Sequence, residues 1–285
     1  MTTISQALSD ARQRLQTSSP SPAVDASTLL CHVLDCAPGH LIAWPEKELT
    51  PRQTAHFSDS LQQRARGRPV AYITGEREFW SLPLKVSEDV LIPRPETETL
   101  VEFVLQQFAA CRELAVADLG TGSGAIACAL AAEKPSWAVV ATDASARALE
   151  IAQHNASKHG LDNIEFLQGQ WFEPLHGRHF DLIVSNPPYV AEDDPHLSTG
   201  DVRFEPATAL ASGKHGMDAI RHLTQQAHTC LRPDGWLWEK CGRVDGMFSG
   251  TGFFTNGGQP AMIYHGFGSG RNQISYAQDD LLDKW

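Results

Sequence analysis

Two clusters in this chain combine residue types suited to holding a nucleoside and a planar amide. Asp118-Leu119-Gly120-Thr121-Gly122-Ser123-Gly124 follows an apolar run and precedes an alanine-rich one. Glycines there permit a tight turn and let a ligand approach without Cβ obstruction. The spacing is GxGxG, not the GxGxxG of dinucleotide folds. Asp143 ends the next apolar run, 25 residues after Asp118, where a carboxylate can accept hydrogen bonds from both ribose hydroxyls. A glycine-rich turn with two capping aspartates is the plainer reading, and the placement of Asp143 weighs against it.

The second cluster is Asn186-Pro187-Pro188-Tyr189, directly after the apolar run Asp181–Ser185. Prolines lack N–H groups and have fixed φ, so the turn is rigid and its carbonyls stay available. Asn186 adds a side-chain carbonyl and Tyr189 a flat aromatic face. Together they can accept two hydrogen bonds from a planar NH₂ group while stacking on it. A proline turn that merely ends a strand is the alternative.

The elements around these clusters alternate. From about residue 112, strands at 114–119, 137–142, 164–167 and 180–185 are separated by helices at 125–132 and 145–158. A helix is expected over 217–231, closed by Arg232-Pro233-Asp234-Gly235, with a strand from Trp236. This order argues for an α/β fold with a parallel central sheet covered on both faces. Residues 1–76 read as a small helical domain. Asp25 or Ser27 would cap its second helix, and Thr50-Pro51 would open a polar helix to about Arg66. Residues 77–95 read as a linking β-hairpin, whose strands 78–86 and 90–92 would turn at Ser87-Glu88-Asp89. Thr97 would then start a helix with Leu100, Val101, Val104, Leu105 and Phe108 on one face. The main domain spans 96–285, but 240–285 is off pattern. Nine glycines fall within Gly242–Gly270, and only 261–264 and 273–276 look strand-like.

Composition narrows the function. Hydrophobic residues make up 42% and charged residues 20% of the 285, which is globular and excludes disorder. No run approaches a membrane span, and the polar N-terminus lacks the apolar core of a signal peptide. Six cysteines without CxxC spacing read as reduced thiols, so a cytoplasmic location is expected. The twelve histidines show no metal-ligand cluster, and no metal is expected. Residues 1–80 are neutral, so the net charge of −11 belongs wholly to the remainder. A domain gripping a nucleic-acid backbone needs clustered cations. A nucleic-acid partner is therefore disfavoured.

DLGTGSG, Asp143 and NPPY at these separations resemble the class I S-adenosylmethionine-dependent methyltransferases that modify planar nitrogens, which have a Rossmann-like fold. With the helical N-terminal module, GEREFWSLPLKV, LIPRPETE, SNPPYV and GDVRFEP, the chain resembles a narrower family. That family is the glutamine methyltransferases of peptide chain release factors, also called HemK or PrmC. The resemblance runs to about Glu239. It implies S-adenosyl-L-methionine as cofactor, held by Gly120, Thr121, Gly122, Ser123, Gly124 and Asp143, with Trp171 against the adenine and Asn186 also in contact. It implies Asn186, Pro187, Pro188 and Tyr189 as the substrate site, with Asn186, Pro187 and Tyr189 catalytic. It further implies class 1 release factors as partners, methylated on the glutamine of their GGQ motif, and a monomeric enzyme. The chain departs from the family at Gln170, where an Asp usually precedes the Trp. It departs again after Trp236-Leu237-Trp238-Glu239, by divergence or by a shifted reading frame. Adenine-N6 DNA methylation, which also uses an NPPY loop, is the rival activity. A cofactor-binding protein without turnover is the third reading.

Overall fold

The computed structural model describes residues 2–243, 248–254, 260–265 and 272–276, with side chains for 2–240. The chain divides into two compact units. The first comprises residues up to Glu76 together with Ser198–Phe204, and the second runs from Arg77 to Leu197 and resumes at Glu205.

The first unit is helical: α1 (Ile4–Leu15), α2 (Pro22–Leu34), α3 (Pro38–Ala43), α4 (Pro51–Ala65) and α5 (Val70–Thr74). Thr3 and Thr50 each close a capping box, with Gln6 and Gln53 respectively, which satisfies orphan N–H groups at the starts of α1 and α4. Leu15, Leu29, Leu30, Phe57 and Leu61 meet in its core. Asp25 is not a cap, because Pro22 at the first helical position starts α2 before it. Asp25 is instead buried and accepts hydrogen bonds from Arg64 Nε (2.6 Å) and Ser19 Oγ (2.7 Å). Arg64, also buried, reaches Asp201 of the returning segment through Nη1 at 2.7 Å. A buried guanidinium is tolerated because its fork is filled on both sides.

The second unit opens within a two-stranded hairpin, β1 (Glu76–Phe79) and β2 (Leu82–Lys85). The hairpin breaks the segment 78–86, expected to be a single strand, into two, and residues 90–92 form no strand. Its turn is Trp80-Ser81, both at positive φ (52° and 60°). Neither residue type favours that conformation. The turn is held from outside: Trp80 N donates to Glu98 Oε1 and Trp80 Nε1 to Glu133 Oε1, both at 2.8 Å.

The remaining elements are α6 (Pro95–Gln107), β3 (Ala115–Leu119), α7 (Ala125–Glu133), β4 (Ala138–Asp143), α8 (Ala146–Lys158), β5 (Ile164–Gln168), β6 (Phe180–Ser185), α9 (Asp218–Gln226), β7 (Leu231–Arg243), β8 (Phe248–Phe254), β9 (Pro260–His265) and β10 (Asn272–Tyr276). The main sheet has the order β10-β9-β8-β7-β6-β3-β4-β5. Strands β7, β6, β3, β4 and β5 run parallel. The chain thus starts in the middle of the parallel part at β3, winds outward through β4 to β5, and crosses back to β6 and β7. Apolar residues fill both faces of that sheet. Leu130, Val139 and Trp137 lie in one layer and Leu175, Ile183 and Leu223 in the other.

Two local expectations are corrected. The helix expected over 217–231 stops at Gln226. Arg232-Pro233-Asp234-Gly235 is a bulge within β7, between the pairs Phe180↔Leu231 and Leu182↔Trp236. Asp234 takes a positive φ of 64° there. Beyond residue 239 the backbone is not without order: β8, β9 and β10 extend the sheet as an antiparallel meander on β7. The two strand-like runs fall in β9 and β10, whereas β8 has no clear signal in a sequence containing Gly250 and Gly252.

Candidate active site

The parallel strands change winding direction between β3 and β6, which leaves a crevice at their carboxyl ends. Leu119 pairs with Ser185 at those ends, and Ser185 Oγ donates to the Leu119 carbonyl at 2.7 Å. The two sequence clusters, 66 residues apart, therefore leave the sheet side by side. A cavity of about 530 Å³ opens there, lined by Gly120–Ser123, Asp143, Gln170, Trp171 and Asn186–Pro188, with Arg94 and Thr97 also in its wall.

The glycine turn is shaped by the backbone. Gly120, Gly122 and Gly124 have φ of 70°, 57° and 80°, a region that L side chains rarely enter. A Cβ on Gly120 would lie 3.3 Å from the Trp171 ring, so the indole covers this glycine closely. Asp118 is fully buried beneath the turn, and its Oδ2 accepts from Thr121 Oγ1 (2.6 Å) and Ala127 N (3.2 Å). Burial pushes its carboxyl up to about 7, against those two hydrogen bonds, with the nearby Asp143 adding to the rise. Asp143 accepts from Gly122 N and Ser145 N, both at 2.9 Å. Its carboxyl is raised by burial, and these backbone hydrogen bonds oppose the rise. Asp143 thus holds the turn to the end of β4 and still presents lone pairs to the cavity.

Asn186 follows β6 directly. Its Oδ1 is buried and has no hydrogen-bond partner among the described residues. An unsatisfied buried acceptor costs roughly 1–3 kcal/mol, and this oxygen in the cavity wall is able to accept a hydrogen bond. Pro187 and Pro188 line the same wall, whereas Tyr189 is half-buried and not among the lining residues. Gln170 lines the cavity, and its backbone N–H donates to Glu173 Oε2 at 3.0 Å.

Several positioning residues carry no motif that singles them out. Asn155, fully buried on α8, accepts from Lys85 N (2.7 Å) and donates to the carbonyls of Lys85 (3.0 Å) and Ser123 (2.8 Å). It ties the glycine turn to β2. Its signal is a polar residue on the apolar stripe of α8, beside Ile151, Ala152 and Ala156. Arg94 pairs with the fully buried Glu205 carboxylate, which also accepts from Ile92 N at 3.3 Å. Arg94 of LIPRPETE, which lines the cavity, is thus held by Glu205.

A parallel sheet with a glycine turn and an Asn-Pro-Pro turn flanking its switch point defines a methyltransferase domain. Residues 96–214 match the family described as Methyltransferase small domain, and residues 6–75 the one described as PrmC N-terminal domain. The release factor glutamine methyltransferase of Xylella fastidiosa is 56% identical over 214 residues, which cover 75% of this chain and 78% of that protein. The Vibrio cholerae enzyme of that name is 50% identical, covering 86% of each chain. The Aliivibrio fischeri enzyme is 44% identical over 94% of this chain and 92% of its own. The first 239 residues cannot supply that share alone, so this likeness reaches into the tail. The chain belongs to the release factor glutamine methyltransferase family and is an enzyme of the methyltransferase class.

Proposed function

We propose that this enzyme transfers the methyl group of S-adenosyl-L-methionine to the side-chain amide nitrogen of the glutamine in the GGQ motif of class 1 peptide chain release factors. The observation that carries this reading is the buried, unpartnered Asn186 Oδ1 in the cavity wall, one residue beyond the Leu119↔Ser185 pair. The relatives' shared name supplies the substrate class.

The cavity suits such a donor. About 530 Å³ is within the usual range for a cofactor pocket. The turn Gly120-Thr121-Gly122-Ser123-Gly124 would receive it closely, Asp143 would accept from its ribose hydroxyls, and Trp171 would lie against the adenine. When bound, it supplies a methyl group activated by a sulfonium.

The chain's own residues answer the difficulty of the acceptor. An amide nitrogen is a weak nucleophile because its lone pair is delocalised into the carbonyl. Asn186 Oδ1 and the Pro187 carbonyl would accept its two hydrogens, orient the lone pair, and stabilise positive charge developing on nitrogen. This is catalysis by orientation and electrostatics without a general base: the nitrogen–methyl bond would form as the sulfur–methyl bond breaks, S-adenosyl-L-homocysteine would leave, and the surplus amide proton would pass to solvent. Tyr189 would stack on the amide. The helical unit would dock the release factor, and it exposes Ile42 (83%) and Trp44 (60%).

The test is mass spectrometry of a release factor incubated with the enzyme and S-adenosylmethionine. A single added methyl, localised to the GGQ glutamine, is expected. An unmodified release factor, or methyl on another residue, would refute the reading.

A further inference from the structure

We infer that Asn155 is a positioning residue that locks the Ser123–Gly124 peptide of the glycine turn to strand β2, so that ligand binding at the turn and docking of the hairpin on α8 are one coupled event. This rests on the donor proposed above and goes beyond it by giving a role to a residue outside the cavity lining.

Both N–H donors of this buried amide are committed. Asn155 Nδ2 donates to Ser123 O at 2.8 Å and to Lys85 O at 3.0 Å, while Oδ1 accepts from Lys85 N at 2.7 Å. No other donor to Ser123 O is found among the described residues. The far end of the same peptide is held too, because Gly124 N donates to Thr121 O at 2.9 Å. Gly124 has a φ of 80°, and glycine adopts either sign of φ with little penalty. Rotation of that peptide is therefore weakly opposed unless both of its ends are tied. Asn155 ties the carbonyl end, and Ser123 lines the cavity.

The other half of the clamp is an edge of β2. Carbonyls two residues apart on a strand point the same way. Lys158 Nζ donates to Pro83 O at 2.9 Å, and His159 Nε2 lies 3.1 Å from the same oxygen. The end of α8 thus grips β2 at Pro83, and Asn155 grips it at Lys85. Beyond Lys85 the chain passes through the buried Val86 to Asp89, Val90 and Leu91, which line the cavity. One side-chain amide therefore connects the glycine turn to the strand that leads into a second lining segment. Residues 82–85 themselves do not line the cavity. A ligand on the turn reaches Lys85 either through Asn155 or along the chain from residues 89–91, and removing the amide separates the two routes.

The test combines amide hydrogen exchange with calorimetry and needs no turnover. In the wild type, saturating S-adenosylhomocysteine should slow exchange of the Lys85 N–H by roughly tenfold or more, because its opening is linked to the liganded turn. Asn155→Asp keeps the size and the acceptor for Lys85 N but has no N–H to donate, and Asn155→Ala removes the amide altogether. Both variants should bind S-adenosylhomocysteine roughly 10–100-fold more weakly, the size of a buried hydrogen bond left unmade. Both should also lose the protection of Lys85 at saturating ligand. Lys158→Met loosens the grip on Pro83 without touching the turn, and its affinity should stay within about twofold of wild type. Wild-type exchange at Lys85 that ignores the ligand overturns the inference, and this measurement decides alone where a variant fails to fold. Wild-type affinity in Asn155→Asp, or an equal loss in Lys158→Met, also overturns it and leaves the donor reading intact. A wild-type enzyme that binds neither S-adenosylmethionine nor S-adenosylhomocysteine overturns the donor reading itself.

Discussion

At the residue scale, Asn186 and Asp143 carry separable burdens. If Asn186 receives the substrate amide, Asn186→Ala removes an acceptor needed most as the nitrogen becomes positive. Turnover should fall roughly 10²–10³-fold, the usual cost of deleting one preorganised polar group. Donor affinity, read by calorimetry, should change much less. A wild-type rate on an intact release factor would remove Asn186 from the mechanism. Asp143 has a double role, because its carboxylate already accepts from Gly122 N and Ser145 N. Asp143→Ala should therefore weaken donor binding by about 1–3 kcal/mol and also lower the melting temperature. Asp143→Asn keeps an acceptor for one backbone N–H and should lose less of both. Unchanged donor affinity in Asp143→Ala would exclude it from the site.

At the element scale, the glycine turn works because α7 and α8 approach it closely. Gly124 sits at the N-cap of α7 with φ of 80°. A Cβ there would lie 3.0 Å from Ala152 Cβ and 3.2 Å from Ala152 Cα on α8. Gly124→Ala combines a strained backbone with a clash against a helix that cannot move without disturbing Asn155. It should cost on the order of 2–3 kcal/mol in denaturant unfolding. Gly122→Ala is the comparison, since nothing lies within 4 Å of its added Cβ and only the φ of 57° opposes it. A larger stability loss for Gly122→Ala than for Gly124→Ala would contradict the packing described between α7 and α8.

At the scale of the whole molecule, two buried carboxyls and one half-buried carboxyl set a pH dependence. Asp118, Asp143 and Glu239 are all raised above the ordinary carboxylate range, chiefly by burial. The native state therefore holds protons that the unfolded chain releases. Their contribution to stability is full below the unfolded carboxylate pKa of about 4 and is lost as pH rises through the folded values, about 7 for Asp118. Unfolding free energy attributable to them should thus decline from pH 4 to pH 7. Asp118→Asn keeps the acceptor for Thr121 and Ala127 and should flatten part of that slope in urea titrations at pH 5 and pH 7.5. An unchanged slope would show that Asp118 does not titrate in this window. Much of the molecule was legible in its residues alone. The strand–helix alternation, the N-cap at Thr50, the tight glycine turn and the proline turn follow from local stereochemistry, which acts over a few residues and leaves its mark in residue type. Partners distant in sequence leave no such mark. Asp25 looks like a cap until Arg64 arrives, and Trp80-Ser81 looks like strand until Glu98 and Glu133 hold it in a turn. Asn155 looks like one polar residue on a helix until Ser123 and Lys85 meet it. The site itself belongs to the second kind. Each cluster is written in the sequence, but only the sheet order places β3 beside β6, so that the glycine turn and Asn186 share a cavity. The number of possible strand orders is large, and the choice among them rests on burial of both sheet faces, a property of the folded chain as a whole.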